Sequence, residues 1–423
     1  MILPGTLSIA EAAATTWDAI VIGAGVSGSM AAREIARSGG RVLLVDRRQF
    51  PRRKVCGACL NGLALTVLAE AGLSREIDDL GGDLLQRFSL RCGSRTINLP
   101  LPAGRAISRE ALDAALVQAA VASGVEFLPE TTALVGDVFG DRREIRLCLQ
   151  THAVPSCGSP IPSCENSPPE PPVATPQGRD VRTSAGAVIV AAGLGANCLP
   201  NSGEWTTHVR ASSRIGAGCL LEDSSSDFAP GTIWMTVGNG GYLGLVRVED
   251  GRLNLAAAFD RGFLRRCGSP RDAALRLLTK AMFPVPTQLM EADWQGTVSL
   301  NRQTAPVASR HVFLIGDAAG YVEPFTGEGM AWALLAGRRI APWAIQAMHE
   351  WSDEIAQGWI LEYRALIQTR QTTCRVLSRL LHYPRLLSGG LSLLGLCPGL
   401  THHVLKRLNM EAPQERLVRQ WML

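Results

Sequence analysis

The chain has little of what marks several classes of protein. No uninterrupted apolar run reaches the about 18 residues needed to cross a bilayer, so no membrane-spanning helix is expected. Met1 to Thr16 has neither a basic start nor a long apolar core, and does not read as a signal peptide. The net charge is only +4 over 423 residues, which excludes a nucleic-acid footprint. Lysine is nearly absent: only Lys54, Lys280 and Lys406 occur, and the other basic residues are arginine. Apart from Cys56 and Cys59 the 11 cysteines lack paired spacing, so no disulfide framework is expected and a reducing cytoplasm is the natural compartment. The 7 histidines show no ligand spacing, and no metal site is expected. Oligomeric state is not legible.

Two separated segments carry the positive information. The first runs from Asp18 through Gly23-Ala24-Gly25-Val26-Ser27-Gly28 to Arg41-Val-Leu-Leu-Val-Asp46. Ala19 to Ile22 is short and apolar, as a buried parallel strand requires. Gly23 permits the tight turn that leaves it, Gly25 lets a pyrophosphate approach the backbone, and Gly28 lets the next helix pack close. That helix, Val26 to Ser38, points its N-terminal N–H groups at the phosphates. Gly39-Gly40 stops it. Asp46 follows at about the 20-residue distance of a carboxylate that holds ribose hydroxyls. Arg47 beside it is either a charge neutraliser or plain surface.

The second segment is His311-Val-Phe-Leu-Ile-Gly316-Asp317-Ala-Ala-Gly320. Val312 to Ile315 is another buried strand, which delivers Asp317 to its carboxyl end, where open α/β sheets bind ligands. This Gly-Asp element resembles the ribityl-binding motif of flavoproteins and favours FAD over NAD. Downstream, Pro324-Phe-Thr-Gly327-Glu-Gly329-Met330 opens an amphipathic helix through Ala347. Its N-terminus would stabilise negative charge on a reduced flavin.

Together these elements resemble the geranylgeranyl reductase family, within the para-hydroxybenzoate hydroxylase superfamily of FAD enzymes. The resemblance rests on Gly23 to Gly28 with Asp46, Lys54-Val-Cys56-Gly57, Ser108-Arg109 with Asp113, Gly316 to Gly320, Pro324 and Thr326-Gly-Glu-Gly329. It implies that Arg109 contacts FAD, that Lys54 and Cys56-Gly57 lie near the flavin, and that Gly327, Gly329 and Met330 border it. It also implies an α/β fold: a Rossmann-like FAD/NAD(P)-binding domain, an inserted β-rich substrate domain and a helical C-terminal region. The chain departs from the family where a Tyr-x-Trp-x-Phe-Pro strand lines the substrate cavity. It reads Gly241-Tyr242-Leu-Gly-Leu-Val-Arg247, leaving Tyr242 as a candidate substrate residue. Ala191-Ala192-Gly193 lacks the acid of the family's Ala-Asp-Gly, and no Trp-x-Trp pair of the flavin halogenases occurs.

The pattern divides the chain into an FAD-binding domain in three parts (14–85, 106–205 and 301–345), a substrate-domain hairpin (86–105), a β-rich substrate domain (206–300) and a helical C-terminal region (346–423). Within the substrate domain, 210–221, 232–237, 242–248 and 253–259 read as strands and 271–282 as a helix. Val181 to Ser184 and Ala187 to Ala191 read as two further strands. Thr151 to Asp180 holds 8 prolines and almost no large apolar residue, so it reads as a disordered loop within a hairpin.

Cys56-Gly-Ala-Cys59 has dithiol spacing. It reads as a cavity wall beside the flavin, with Cys56 a candidate catalytic thiol and plain packing the third alternative. Among the substrate-domain arginines, Arg210, Arg214 and Arg247 are the ones that could meet a substrate carboxylate, Arg247 foremost. Residues 377–408 are leucine-rich with interspersed basic residues. They read as a helical cap over the cavity or as an interfacial helix in peripheral contact with a membrane. The expected activity is an FAD-dependent oxidoreductase of an apolar, isoprenoid or polyketide-like small molecule, with NAD(P)H as electron donor since no second glycine fingerprint occurs. It would reduce carbon–carbon double bonds; the alternatives are an aromatic monooxygenase and a flavin-binding protein without turnover. Deleting 151–180 and closing the hairpin with a short turn should leave flavin content and unfolding midpoint unchanged, because loop closure depends weakly on length. Loss of soluble protein would show that the segment docks.

Overall fold

A computed structural model describes residues 2–93, 95–101, 103–149, 180–195, 197–200, 203–223, 225–323, 325 and 327–380. The proline-rich stretch up to residue 179, Pro324, Thr326, the two histidines at 402–403 and the leucine-rich tail beyond 380 lie outside the described residues.

The nucleotide-binding half is a sheet of parallel strands: β1 (Trp17–Ile22), β2 (Val42–Val45), β3 (Glu126–Leu128), β4 (Val181–Val190) and β5 (Val312–Leu314). Their order is β3-β2-β1-β4-β5. The strands are apolar over their central and carboxyl-terminal residues, as expected when helices cover both faces. Ala19 to Val21, all of β2 and Ala187 to Val190 have no exposed surface. Helix α1 (Val26–Arg37) crosses from β1 to β2 and packs on α2 (Arg109–Ala122) and on α3 (Gly329–Arg339). An antiparallel pair, Thr131–Phe139 and Arg142–Leu149, extends this sheet beside β4.

Strand order reverses between β1 and β4, and this switch point is where an open α/β sheet binds its ligand. Gly23 leaves β1 with φ +104°, and a Cβ there would lie 2.4 Å from the Ala191 carbonyl oxygen after β4. At Gly28 a Cβ would lie 1.8 Å from the Gly23 carbonyl oxygen, so only glycine lets α1 sit so close to the turn.

The second half is a seven-stranded sheet in the order 295–299, 215–221, 253–259, 241–247, 232–238, 87–92, 95–100. Pairing is antiparallel except between Thr232–Gly238 and Arg87–Cys92. Helix Pro270–Lys280 covers one face, where Leu243, Leu245 and Leu255 pack with Leu277 and Leu278. The other face carries Leu90, Met235, Tyr242 and Leu300 and meets Tyr321 and Phe325 from the chain after β5.

Three expectations change. The strand expected over 210–221 starts at Ile215; Ser213 closes a turn on the Arg210 carbonyl, and Thr206–Val209 pairs separately with Arg302–Ala305. The two stretches at 181–184 and 187–191 are the single strand β4. The helix expected through Ala347 ends at Arg339 and a new one covers Ala341–His349, with Pro342 in the first turn, where its missing N–H is tolerated. Among the described residues no helix is long and apolar enough to cross a membrane.

Replacing Gly28 with alanine should destabilise the fold by about 1–3 kcal/mol or more in urea unfolding, since backbone must shift to admit the Cβ. Wild-type stability would contradict the close approach of α1 to Gly23.

Candidate flavin site

Gly25 occupies the N-cap position of α1, and the first-turn N–H groups of any helix lack intrahelical partners. A Cβ on Gly25 would meet no backbone. Its nearest neighbours would be Arg52 Nη2 at 3.4 Å and Arg109 Nη2 at 3.5 Å. The space before the helix is thus walled by two guanidiniums, the surroundings a pyrophosphate requires. Asp46 stands at the end of β2, buried, with Oδ2 accepting from Ala24 N–H at 2.8 Å and Oδ1 from Arg48 N–H at 2.9 Å. Its carboxylate therefore holds the glycine turn. Val26 and Ser27 are buried in the first turn of α1. Arg47 is exposed and not drawn into this cluster.

Three cations from two segments converge with three carboxylates. Ser108 caps α2, with its N–H and Oγ donating to Glu249 in a turn of the substrate lobe at 2.7 and 2.6 Å. This places Arg109 in the first helical position, where it forks onto Asp113 with Nε–Oδ1 and Nη2–Oδ2 distances of 2.8 Å each. Arg52 lies 3.3 Å from Asp113 and 3.7 Å from Asp46. Burial by itself would raise the Asp113 carboxyl, but Arg109, Arg52 and Lys54 outweigh it and hold the group below its ordinary value. Lys54 reaches Asp317 at 3.3 Å. Burial pushes the Lys54 ammonium down; Asp317 opposes this, and Arg109 and Arg52 add to it.

Asp317 follows β5 across the switch point. Gly316 has φ +57°, and a Cβ there would lie 2.5 Å from Ser27 Oγ, so β5 and α1 meet through glycine. Gly327 has φ +78° and faces Cys59; Gly329 then opens α3, and Met330 is buried behind it. Between these elements runs the segment at 54–57. Gly57 is exposed, with open space where a side chain would stand. Asn254 Nδ2 donates to the Cys56 carbonyl at 2.9 Å, tying this segment to the substrate lobe. Both thiols of the pair are free. Cys59 Sγ donates to the Gly57 carbonyl at 3.0 Å, and burial, then Cys56, push its thiol well up. Dithiol exchange needs an accessible thiolate, and Cys59 is held as the thiol.

Of the two candidate substrate residues, Tyr242 is on the face turned toward the flavin loop, edge-on to Phe325 at 5.1 Å. Arg247 is not. It lies five residues along the same strand, and alternation turns it to the opposite face with Leu243 and Leu245. There Nε donates to Phe228 O at 2.7 Å and Nη1 to Asp223 O at 2.6 Å, while Nη2 serves Asp223 Oδ2 and Ser225 O. It braces a loop and has no donor left for a substrate carboxylate. Arg210 is exposed, whereas Arg214 is buried in the lobe interface.

Sequence reasoning passed over Arg52, Tyr321 and Glu323. Arg52 had a signal, the Arg52-Arg53-Lys54 run just after the Asp46 strand. Tyr321 and Glu323 had only their place inside the Gly-Asp to Thr-Gly-Glu-Gly stretch.

The open space at Gly25 generates a discriminating expectation. Gly25→Val should lose stoichiometric FAD while the stability of the apo-protein changes by no more than about 2 kcal/mol, because the new side chain meets no backbone. A folded variant retaining stoichiometric flavin would displace the site.

Residues 16–138 match the family described as FAD binding domain. Menaquinone reductase of Mycobacterium tuberculosis is 27% identical over 338 residues, covering 77% of this chain and 75% of that one. Digeranylgeranylglycerophospholipid reductase 2 of Methanosphaera stadtmanae is 30% identical over 126 residues, but this covers only 27% of the chain and 30% of the relative. The flavin-dependent brominase Bmp2 superimposes with TM-score 0.72 at 15% identity, covering 93% of this chain and 94% of that one. The p-nitrophenol 4-monooxygenase PnpA of Pseudomonas putida does so with TM-score 0.70 at 15% identity, covering 93% and 98%. At such identities the two structures speak for the fold alone. The narrower resemblance to geranylgeranyl reductases is therefore distant, and the broader class is what stands: the chain is an FAD-dependent oxidoreductase with the para-hydroxybenzoate hydroxylase-type architecture.

Proposed function

We propose that this chain reduces a carbon–carbon double bond of an apolar substrate, with FAD as the bound cofactor and NAD(P)H as the donor that recharges it. The observation that carries the reading is the sheet face opposite the flavin loop. Leu90, Met235, Val237, Tyr242 and Leu300 form a nearly unbroken apolar wall against Phe325. The menaquinone reductases, similar over three-quarters of the chain, support an apolar substrate.

The residues present fit FAD. The turn from Gly23 to Gly28, with Arg52 and Arg109, would hold the pyrophosphate. Asp46 would hold the ribose of the adenosine half, and Asp317 the ribityl chain. When bound, FAD supplies the hydride chemistry. The chain orients it and sets its surroundings. Lys54 and the N-terminus of α3 favour negative charge near the ring. The apolar wall excludes water from the reacting bond, and Cys56 borders the space where that bond would lie. Aromatic hydroxylation, using NAD(P)H and oxygen on the same scaffold, is the competing outcome.

An apolar wall predicts affinity that rises with chain length. Across a homologous isoprenoid or alkyl-phenol series, each added methylene should contribute about 0.8 kcal/mol, roughly fourfold in Kd, until the cavity is full. Flavin fluorescence reads the titration. A strong response to a short carboxylated phenol and none to long apolar chains would overturn the reading.

A further inference from the structure

The face of the substrate lobe turned away from the flavin loop concentrates positive charge. Helices Arg261–Cys267 and Pro270–Lys280 pack together there, over the sheet. Residues 261–290 hold six basic side chains and one acid, a surplus larger than the +4 of the whole chain. The acid, Asp272, lies 3.6 Å from Arg271. Arg265, Arg266, Arg276 and Lys280 are exposed and make no ion pair among the described residues. Arg276 and Lys280 stand one turn apart on the same helix, where like charges repel.

The turn after the second helix holds apolar side chains out of the lobe. It closes as a Schellman motif, with Phe283 N–H donating to Leu278 O and Met282 N–H to Thr279 O, both at 3.0 Å. Met282 takes the left-handed position of that motif with φ +54°, where glycine is the usual residue. It is nevertheless a methionine, and it is 67% exposed. Nine large apolar side chains are exposed among the described residues, and three of them, Met282, Val285 and Met290, fall in this one turn. The turn is firmly seated. Phe283 and Leu289 are buried anchors. Arg91 Nη1 donates to the Met282 carbonyl at 2.6 Å, and its guanidinium carbon lies 4.6 Å from the Phe283 ring centroid. Arg271 Nη1 donates to the Met290 carbonyl at 3.2 Å. Asp293, three residues further on, lines the cavity between the lobes with Arg53 and Cys56.

Each of these features is unfavourable in water: a side chain in the left-handed region, a cluster of exposed apolar groups and cations without partners. A surface that is anionic outside and apolar beneath relieves the last two together. We propose that this face of the substrate lobe, with Arg265, Arg266, Arg276 and Lys280 around the Met282–Met290 turn, docks on an anionic lipid surface. The cations meet the lipid phosphates, and Met282, Val285 and Met290 enter between the head groups. A nucleic acid or an acidic protein would match the charge but leave the apolar tip unused. The inference stands on this surface and not on which reaction the flavin performs.

The experiment is co-sedimentation of the flavin-loaded full chain with vesicles of phosphatidylcholine, alone or mixed with phosphatidylglycerol. Wild type should bind the mixed vesicles at least about tenfold more tightly than the neutral ones, and high salt should abolish the difference. The double variant Arg276→Glu/Lys280→Glu should lose that preference with flavin content unchanged. Met282→Gly separates docking from folding. It relieves the left-handed backbone, so the unfolding midpoint should hold or rise, while affinity for the mixed vesicles should fall about threefold or more because an apolar group no longer enters the lipid. A merely structural role for Met282 would lower the midpoint instead. No binding by wild type, or equal binding to both kinds of vesicle, would overturn the proposal. Wild-type binding by the charge-reversed variant would overturn it too and shift the contact to residues 377–408. Undiminished binding by Met282→Gly would overturn the lipid assignment and leave a patch for any polyanion. Where the double reversal does not fold, Lys280→Gln and Met282→Gly decide. Binding is read without substrate, so its failure leaves the reductase reading untouched.

Discussion

The contact on which this molecule depends is the meeting of α1 with the turn after β1. No Cβ fits at Gly28, because the Gly23 carbonyl is already there. That closeness aims the helix N-terminus at the gap beyond the carboxyl ends of β1 and β4, where the strand order reverses. Segments distant in sequence then converge on the gap: the arginines and lysine after Asp46, Arg109 at the head of α2, and Asp317 at the end of β5. Each is delivered by the end of a strand or the start of a helix, so the geometry of the site is the geometry of the sheet.

The electrostatics follow from that convergence. Asp113 has no exposed side-chain surface and is shared by Arg109 and Arg52. Removing one partner from such a buried pair costs about 3–5 kcal/mol, mostly because the other charge is left stranded. The pairing fixes the guanidiniums and turns their remaining donors toward Gly25. Fold stability and the proposed binding of the pyrophosphate thus draw on the same residues. A second buried ion pair, Arg214 with Glu323, does the corresponding work between the flavin loop and the substrate lobe.

Much of this was legible in the sequence, and the pattern of success is physical. The glycine turn, Asp46 and the Gly-Asp element each obey a local rule, so they could be placed without knowing the fold. Tyr242 was accessible through its strand. Arg247 carries the charge a substrate carboxylate would need, but period-two alternation from Tyr242 puts it on the far face. Arg52 and Glu323 were passed over because their partners, Asp113 and Arg214, are distant in sequence and only the folded sheet brings them together. The break at Arg339 was hidden because apolar periodicity continues through Pro342.

On the proposed reading the bound flavin would deliver hydride to an apolar substrate rather than activate oxygen. The most direct measurement is product mass after a single turnover under isotopically labelled dioxygen, with NAD(P)H as donor and a prenylated quinone as substrate. A product heavier by two hydrogens and free of label is the predicted result. A label atom in the product would contradict the account and make the enzyme a monooxygenase.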